Sequence, residues 1–290
     1  MQKKAINAPP IVTSIEPFTA SKVAWLVDIW GVMHNGVKPF AAAVAACEKF
    51  RTSGGTVLLL SNAPRPAAGV AAQLDRIGVA RSAWDGIVSS GDAARVFVNS
   101  YAPGPVFHLG PERDLGLYQG LGVTLGPQEA ARAIVCTGLF DDETETPETY
   151  VQLLKMCKDR DLHMVCANPD LTVERGGKII FCAGAVAVAY EKIGGKVTYA
   201  GKPHLPVYDM AFDELARLRG GPVERDKVLA IGDGIRTDIA GAANAGIQSI
   251  YIASGVHLGP GGRLDTETLA RLFPQGSPQP TAAMAGLAWG

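Results

Sequence analysis

The chain has 290 residues, of which 47% are hydrophobic and 19% are charged. This length allows one large domain or two modest ones, and the apolar fraction supports a sizeable core, which excludes an intrinsically disordered chain. The 27 basic and 28 acidic side chains leave a formal net charge of −1, so we expect no nucleic acid and no membrane among the partners.

The cysteines and the first residues indicate the compartment. The five cysteines are odd in number and form no Cys-x-x-Cys pair, which predicts neither a disulfide framework nor a zinc site. Reduced thiols fit the cytoplasm, where we therefore expect the protein. The first ten residues contain two lysines, Asn and Pro instead of an apolar stretch, so no signal peptide is predicted. The longest apolar run, at about 183–190, is too short to span a bilayer.

Short apolar runs alternate with Ala-rich amphipathic segments, which predicts βαβ units around a parallel sheet. The predicted elements of the first part are, in order, a strand at 22–30, a helix at 39–53, a strand at 56–62, a helix at 66–77, a strand near Ile87 and a helix beginning near Gly91.

The strand–helix rhythm restarts at about Tyr101, which predicts an inserted domain. Its predicted elements are a strand at 106–110, a helical segment at 111–122, a strand at 133–139, a helix after Pro147 and a strand at 163–168. The first pattern then resumes with a helix after His204, a strand at 227–233, a helix at 237–245 and a strand at 248–254, before an irregular tail at 274–280. We therefore predict an α/β fold in which a Rossmann-like parallel-sheet core, residues 1–100 and 196–290, carries an inserted α/β cap domain, residues 101–195.

Polar residues stand where several predicted strands end, which is where open parallel sheets bind ligands. Asp28 closes a strongly apolar strand, a position that is costly for an acid unless it is paired or liganded. Ser61 and Asn62 end the next strand and place a hydroxyl and backbone N–H groups where an oxyanion can bind. Taken singly, Asp28 is equally well explained as a turn residue, and the Ser61–Asn62 pair is better explained as a helix N-cap.

Two further polar groups lie in the last third of the chain. Lys202 stands between Gly201 and Pro203 and supplies a positive charge, although a lone lysine is more often simply solvated. Asp233 and Asp238 flank a glycine turn after an apolar strand, a pattern that favours a hard cation. A capped helix explains Asp238 but not Asp233.

As the ends of neighbouring strands, Asp28 and Asp233 can meet at one Mg²⁺, with a phosphate held nearby by cationic and hydroxyl groups. A nucleophile, a metal and donors for the phosphate oxygens are the requirements of phosphoryl transfer.

The four motifs, in this order, resemble the haloacid dehalogenase (HAD) superfamily, in particular its subclass IIA phosphatases with a large α/β cap. The four motifs match as follows: the nucleophile motif Asp-x-Asp-Gly-Val at 28–32, the phosphate-binding Thr/Ser at Ser61, the lysine at Lys202 and the acidic metal motif at 232–238. The Asn-Pro-Asp of the family's cap also matches, at 168–170.

The resemblance implies roles for these residues. Asp28 would attack phosphorus and form an aspartyl-phosphate, with Lys202 stabilising Asp28 and the transferring group. Asp28, Asp233 and the carbonyl of Trp30 would bind Mg²⁺, with Asp238 in support. Ser61, Asn62 and, in the cap, Asn168 are assigned to phosphate and substrate binding, and the 138–142 turn to specificity.

The sequence departs from the family pattern at Trp30, where most phosphatases of the superfamily have the second Asp. That Asp protonates the leaving group and then activates water, so its loss predicts slow hydrolysis. His34 is a candidate replacement, although a turn or surface histidine is the more frequent role of such a residue.

We therefore predict a Mg²⁺-dependent phosphatase-like hydrolase of a small phosphorylated metabolite. The alternative is a non-catalytic protein that binds or senses a phosphometabolite on the same fold. A nicotinamide oxidoreductase is disfavoured because no Gly-x-Gly-x-x-Gly follows the first strand. Related capped phosphatases are often dimers, which makes a homodimer a candidate assembly.

Overall fold

The computed structural model describes residues 8–175, 178–253 and 263–290. The chain divides into two compact units. The first contains the described residues of 1–60, 74–87 and 211–290, and the second contains those of 61–73 and 88–210.

The described residues form strands and helices in alternation. The strands are β1 (Ala24–Val27), β2 (Thr56–Ser61), β3 (Gly86–Ser89), β4 (Phe107–Leu109), β5 (Ala133–Cys136), β6 (His163–Cys166), β7 (Thr172–Arg175), β8 (Lys178–Phe181), β9 (Lys196–Tyr199), β10 (Val228–Gly232), β11 (Gln248–Ile252) and β12 (Ala282–Met284). The α-helices are α1 (Ala41–Thr52), α2 (Ala67–Ile77), α3 (Ser90–Asn99), α4 (Val151–Asp159), α5 (Ala183–Lys192), α6 (Leu205–Arg219), α7 (Ala240–Asn244) and α8 (Thr266–Leu272).

The larger sheet has six strands in the order β12-β11-β10-β1-β2-β3. β1 pairs in parallel with both β10 and β2, and β11 pairs in parallel with β10 and β12. From β1 the chain adds strands outward in one direction, and from β10 it adds them outward in the other. The boundary between β1 and β10 is therefore the topological switch point, where ligands bind in open α/β sheets.

Burial explains why these segments form the central strands. Every residue of β1, β2 and β10 is buried, and the three strands are almost continuous runs of apolar residues. Such runs are typical of parallel strands that are covered on both faces. In the register, Val27 at the end of β1 is paired with Ile231 of β10 and Leu59 of β2.

The second unit contains a four-stranded parallel sheet in the order β4-β5-β6-β9. Its core includes Cys136, Cys166 and, from α5, Tyr190, all fully buried. β7 and β8 form a separate antiparallel hairpin. β9 begins immediately after residue 195, the predicted end of the insert, and the limits 101 and 195 stay a prediction.

Several local elements differ from the prediction. The segment predicted as helical at 111–122 contains a 3₁₀ helix, Glu112–Tyr118, and the helix predicted at 237–245 begins as a π turn, Ile235–Ile239. The strands β7, β8 and β12 were not predicted. Within the described ranges, no helix has the length and apolarity needed to cross a membrane.

Candidate active site

Three carboxylates converge at the switch point of the larger sheet. Asp28 directly follows β1 and Asp233 directly follows β10, so the parallel pairing of these strands brings both residues to the same sheet edge. The backbone N–H of Asp28 donates to the Ile231 carbonyl over 2.8 Å. Asp28, Asp233 and Asp238 each offer a carboxylate oxygen within 4.8 Å of the other two, and all three residues are buried.

A π turn positions the third carboxylate. The backbone N–H groups of Asp238 and Ile239 both donate to the Gly234 carbonyl, over 2.8 and 3.0 Å. The Gly234 N–H donates in return to Asp238 Oδ2 over 2.9 Å. π turns are rare and often stand at functional sites, and this one directs the Asp238 side chain back toward the end of β10.

Two glycines leave the space that the carboxylates occupy. A Cβ on Gly31 would lie 2.2 Å from Asp233 Oδ2, and Gly31 has a φ of +82°, which disfavours other residues. A Cβ on Gly232 would lie 2.2 Å from the carboxyl carbon of Asp238. Gly31, three residues after Asp28, and Gly232, directly before Asp233, are therefore a steric requirement of the cluster.

The donor set fits a hard divalent cation. Oxygen ligands are those that Mg²⁺ prefers, and it commonly binds through one or two carboxylates together with water and substrate phosphate. Three buried carboxylates this close repel one another unless a cation or protons neutralise them. Asp28, Asp233 and Asp238 are thus suited to hold Mg²⁺.

Trp30 stands beside this cluster with a half-buried indole. A Cβ on Gly36 would lie 2.3 Å from the indole Cη2, so the ring packs directly on the Gly36 backbone. The ring also makes an edge contact with His34, at a centroid distance of 5.2 Å. The indole therefore takes part in the packing of the turn that follows β1.

His34 was expected to be a turn or surface histidine, and the surface position is wrong: the residue directly follows the turn at 31–33 and forms isolated β-bridges with Trp30 and Pro39. Its side chain is buried, with Nδ1 accepting from the Gly36 N–H over 2.9 Å. Burial lowers the pKa of His34 to about 4. The ring is therefore neutral at pH 7, with its proton on Nε2, which makes His34 a poor general acid.

In the second unit, Asn62 holds the backbone of Lys202. The Lys202 N–H donates to Asn62 Oδ1 over 2.8 Å, and Asn62 Nδ2 donates to the Lys202 carbonyl over 3.1 Å. Asn62 Nδ2 also donates to Asp170 Oδ1 over 2.8 Å. Both amide hydrogens of Asn62 are thus engaged within the protein, and its predicted contact with phosphate is left to its backbone.

Gly201 makes this arrangement possible. A Cβ at Gly201 would lie 2.4 Å from Asn62 Oδ1 and 2.6 Å from Ser90 Oγ. Lys202 itself is buried, with 2% of its surface exposed. Sequence analysis identified Asn62 and Lys202 separately but not the bonds that join them, because residues 140 positions apart carry no local signal of contact.

The other predicted residues of this unit form local turns. Ser61 Oγ accepts from the Ala63 N–H over 3.1 Å, and the residue is buried. Asn168 Oδ1 accepts from the Asp170 N–H over 3.0 Å at the end of β6. Asp170 belongs to the Asn-Pro-Asp motif but was given no role from the sequence, and its bond to Asn62 is what connects that motif to Lys202.

The comparisons with known proteins all indicate the same family. Residues 25–124 match the family model described as haloacid dehalogenase-like hydrolase, and residues 199–270 match one described as HAD-hydrolase-like. A hydrolase of the haloacid dehalogenase-like family from Brucella suis 1330 is 41% identical, with a TM-score of 0.85 over 95% of this chain and 99% of that one. The chain belongs to the haloacid dehalogenase-like hydrolase family. The predicted superfamily and the Rossmann-like core with an inserted α/β cap are thereby confirmed.

Two characterised relatives of this HAD hydrolase carry names that state an activity. The D-glycerol 3-phosphate phosphatase of Mycobacterium tuberculosis is 28% identical over 248 residues, which are 80% of this chain and 63% of that protein. The chain thus spans less than two thirds of that relative. The acid sugar phosphatase of Staphylococcus saprophyticus is 24% identical over 236 residues, which are 80% of this chain and 87% of that protein.

Proposed function

We propose that this HAD hydrolase is a Mg²⁺-dependent phosphatase that hydrolyses a small phosphorylated metabolite. The observation that carries the proposal is the cluster of Asp28, Asp233 and Asp238 at the switch point of the parallel sheet. The activities named for the two relatives, on glycerol 3-phosphate and on sugar phosphates, support phosphate monoesters as the substrate class.

In this proposal the metal ligands are Asp28, the carbonyl of Trp30 and Asp233, and Asp238 supports them. When bound, Mg²⁺ would neutralise negative charge on the transferring phosphoryl group. Because residue 30 contributes through its backbone, the indole in place of a carboxylate does not remove a ligand. The π turn holds Asp238 beside Asp233.

The chemistry on the protein side begins at Asp28. Its carboxylate attacks phosphorus, the bond to the leaving oxygen breaks, and an aspartyl-phosphate forms that water then hydrolyses. Lys202 supplies positive charge to Asp28 and the phosphoryl oxygens, and the Ser61 hydroxyl binds one of those oxygens. Asn62 holds Lys202 in place, and Asn168 belongs to the substrate-selecting part of the cap.

The absence of a carboxylate at position 30 predicts which substrates are hydrolysed fast. Without a carboxylate at position 30, the leaving oxygen must take its proton from water, and general acid–base catalysis of about 10²- to 10⁴-fold is lost. Leaving groups that depart as stable anions suffer least from this loss. Aryl phosphates should therefore be hydrolysed faster than alkyl or sugar phosphates.

A metal-dependent phosphatase screen tests the proposal. We expect phosphate release from a panel of aryl, sugar and nucleotide phosphates with Mg²⁺, and none after treatment with EDTA. The Asp28→Asn variant should be inactive under the same conditions. Mg²⁺-independent release, or equal rates for Asp28→Asn and wild type, would remove Asp28 and its metal from the reaction.

Trp30 also supports a second candidate, a protein that binds a phosphometabolite without turning it over. The packing of the indole on Gly36 and His34 gives position 30 a structural role in the turn. In that case calorimetry would detect Mg²⁺-dependent binding of a phosphate ester that the screen finds intact. The cytoplasmic location and the homodimer stay predictions for either function.

A further inference from the structure

The backbone of Trp30 lies close to the carboxylate cluster of the first unit. Asp28, two residues before it, belongs to the cluster itself. On the other side, a Cβ on Gly31 would lie 2.2 Å from Asp233 Oδ2, so the Gly31 backbone packs against that carboxylate. Since consecutive Cα atoms are about 3.8 Å apart, the Cα of Trp30 is at most about 8 Å from the same carboxylate oxygen.

The turn after β1 holds the indole in one orientation. Trp30 and His34 form an isolated β-bridge, and the Gly31 N–H donates to the His34 carbonyl over 2.9 Å. The indole atoms nearest to a Cβ on Gly36 are Cη2, Cζ2 and Cζ3, all from the six-membered ring. The His34 ring meets the indole at an interplanar angle of 83°. A ring that is fixed before a ligand arrives costs less conformational entropy on binding.

The indole is also the exposed side chain of this segment. Among residues 28–34, all of which the structure describes, every side chain except that of Trp30 is buried, including the apolar side chains of Ile29, Val32 and Met33. Trp30 is half-buried, so part of a large apolar ring stays exposed beside three buried carboxylates. Ligand sites combine such apolar and aromatic walls with a small number of polar groups.

We propose that the exposed part of the Trp30 indole binds the alcohol portion of the substrate, so that Trp30 selects phosphate esters with a flat apolar ring next to the phosphate. This inference rests on the proposed phosphatase function and specifies the leaving group. It is separate from the missing acid at position 30, which affects bond breaking, because the ring contact acts on binding. Aromatic rings attract one another in offset-stacked or edge-to-face arrangements, beyond the effect of burying apolar area.

The test compares two phosphonates that cannot be hydrolysed. Phenylphosphonate carries a ring on phosphorus and methylphosphonate carries a methyl group, so the contacts of the phosphonate oxygens are common to both. The readout is the Kd of methylphosphonate divided by the Kd of phenylphosphonate, measured by calorimetry on the full chain at saturating Mg²⁺. We expect a ratio of at least about 10 for the wild type, because the phenyl ring gains both apolar burial and ring–ring attraction.

Substitutions at position 30 test the role of the ring. Trp30→Leu keeps an apolar side chain and removes the ring, so the ratio should fall by about threefold to tenfold. Trp30→Phe keeps an aromatic ring, and its ratio should stay within about twofold of the wild type. The matched control is Trp84→Leu, which should leave the ratio unchanged, because Trp84 is also half-buried in the first unit and packs under Arg81.

A second pair of variants moves the indole without changing residue 30. In Gly36→Ala the new methyl group would lie 2.3 Å from the indole Cη2 and displace the ring, so the ratio should fall as in Trp30→Leu. Gly54→Ala is the matched control. Gly54 has a φ of +90°, close to the +87° of Gly36, and nothing lies within 4 Å of its added Cβ. This control therefore carries similar backbone strain and should leave the ratio unchanged.

The outcomes are distinct for the two proposals. A wild-type ratio near 1, an unchanged ratio in Trp30→Leu, or no binding of either phosphonate overturns the role of the indole. If the ratios behave as expected but the metal-dependent screen finds no ester hydrolysed, the phosphatase function fails and the ring-binding role stands. Thermal unfolding identifies a variant that misfolds. If Trp30→Leu does not fold, the ratio of Gly36→Ala against that of Gly54→Ala decides in its place.

Discussion

Trp30 separates two roles that one residue usually combines in this family's nucleophile motif. Its carbonyl is assigned to the metal, while its side chain is an indole packed on Gly36 instead of an acid. We predict that Trp30→Asp raises the hydrolysis of alkyl phosphates more than that of aryl phosphates, up to the 10²- to 10⁴-fold range of general acid–base catalysis. Steady-state kinetics on p-nitrophenyl phosphate and a sugar phosphate measures both gains.

The Mg²⁺ affinity of the Trp30→Asp variant should stay close to that of the wild type, and this unchanged affinity is the internal control. Removing the indole leaves a void beside Gly36, so a thermal melt must first show that the variant folds. Two outcomes would mean that another group supplies the acid. In one, Trp30→Asp raises the rates on both substrates equally; in the other, the wild type already hydrolyses alkyl phosphates at ordinary enzymatic rates and Trp30→Asp gives no gain. Neutral His34, with a pKa of about 4, is not expected to supply it.

A substitution of Asp233 tests whether this residue is a metal ligand. Asp233→Asn keeps the shape and removes the charge, so we predict at least about tenfold weaker Mg²⁺ binding by calorimetry. The same change should relieve repulsion within the carboxylate cluster and leave the metal-free protein no less stable. Asp226→Asn is the matched control, because this acid lies in the same unit with 71% of its side chain exposed. Equal Mg²⁺ affinity in wild type and Asp233→Asn would remove Asp233 from the site.

At the scale of elements, Asn62 connects the end of β2 to the loop after β9. Its amide bonds both backbone groups of Lys202 and the Asp170 carboxylate. We predict that Asn62→Ala lowers kcat by about 10²-fold, because a displacement of about 1 Å in a catalytic group has an effect of that size. Mg²⁺ affinity should not change, since Asn62 is not a ligand.

A double-mutant cycle shows whether Asn62 acts through Lys202. In a Lys202→Ala background, Asn62→Ala should have almost no further effect on kcat, whereas independent roles would give additive losses in free energy. Asn99→Ala is the control for an exposed asparagine that accepts one backbone hydrogen bond. Additive losses, or a fall in Mg²⁺ affinity in Asn62→Ala, would contradict the positioning role.

At the scale of the whole molecule, the five cysteines are free and buried. Burial raises the pKa of Cys47 and of Cys136 to about 12 and that of Cys157 to about 11. Because the thiolate is the reactive form, we predict that the native protein resists a thiol reagent at pH 8 and that all five thiols react in guanidinium chloride. Fast labelling of the native protein would show that these cores open.

The same pKa shifts predict the dependence of stability on pH. A thiol whose pKa is higher in the folded state than in the unfolded state stabilises the fold below the unfolded value, near 9, and loses that contribution as the pH rises toward 12. The melting temperature should therefore fall above pH 9. Replacing Cys47 by Ala should make this fall shallower, and an unchanged slope would contradict the predicted titration.

The sequence alone determined the family and the α/β class, and it indicated the residues to which the proposal assigns the chemistry. It did so because apolar runs mark buried parallel strands, and because acids such as Asp28 and Asp233 that directly follow such strands need a partner or a ligand. The sequence also shows glycines close to these acids. Only the structure shows that Gly31 and Gly232 leave the space that the carboxylates occupy.

Tertiary structure decided what depends on contacts between distant residues. The hydrogen bonds of Asn62 with Lys202 and Asp170, and the ion pairs of Arg113 and Arg175 with Asp142, join segments whose local sequences contain no record of each other. Short strands such as β12 and the π turn before α7 were also decided there, because a neighbouring strand or a buried carboxylate stabilises conformations that local propensity does not favour. The physical reason is common to these cases. The periodicity of apolar residues indicates which face of an element is buried, whereas tertiary packing determines which segment covers that face.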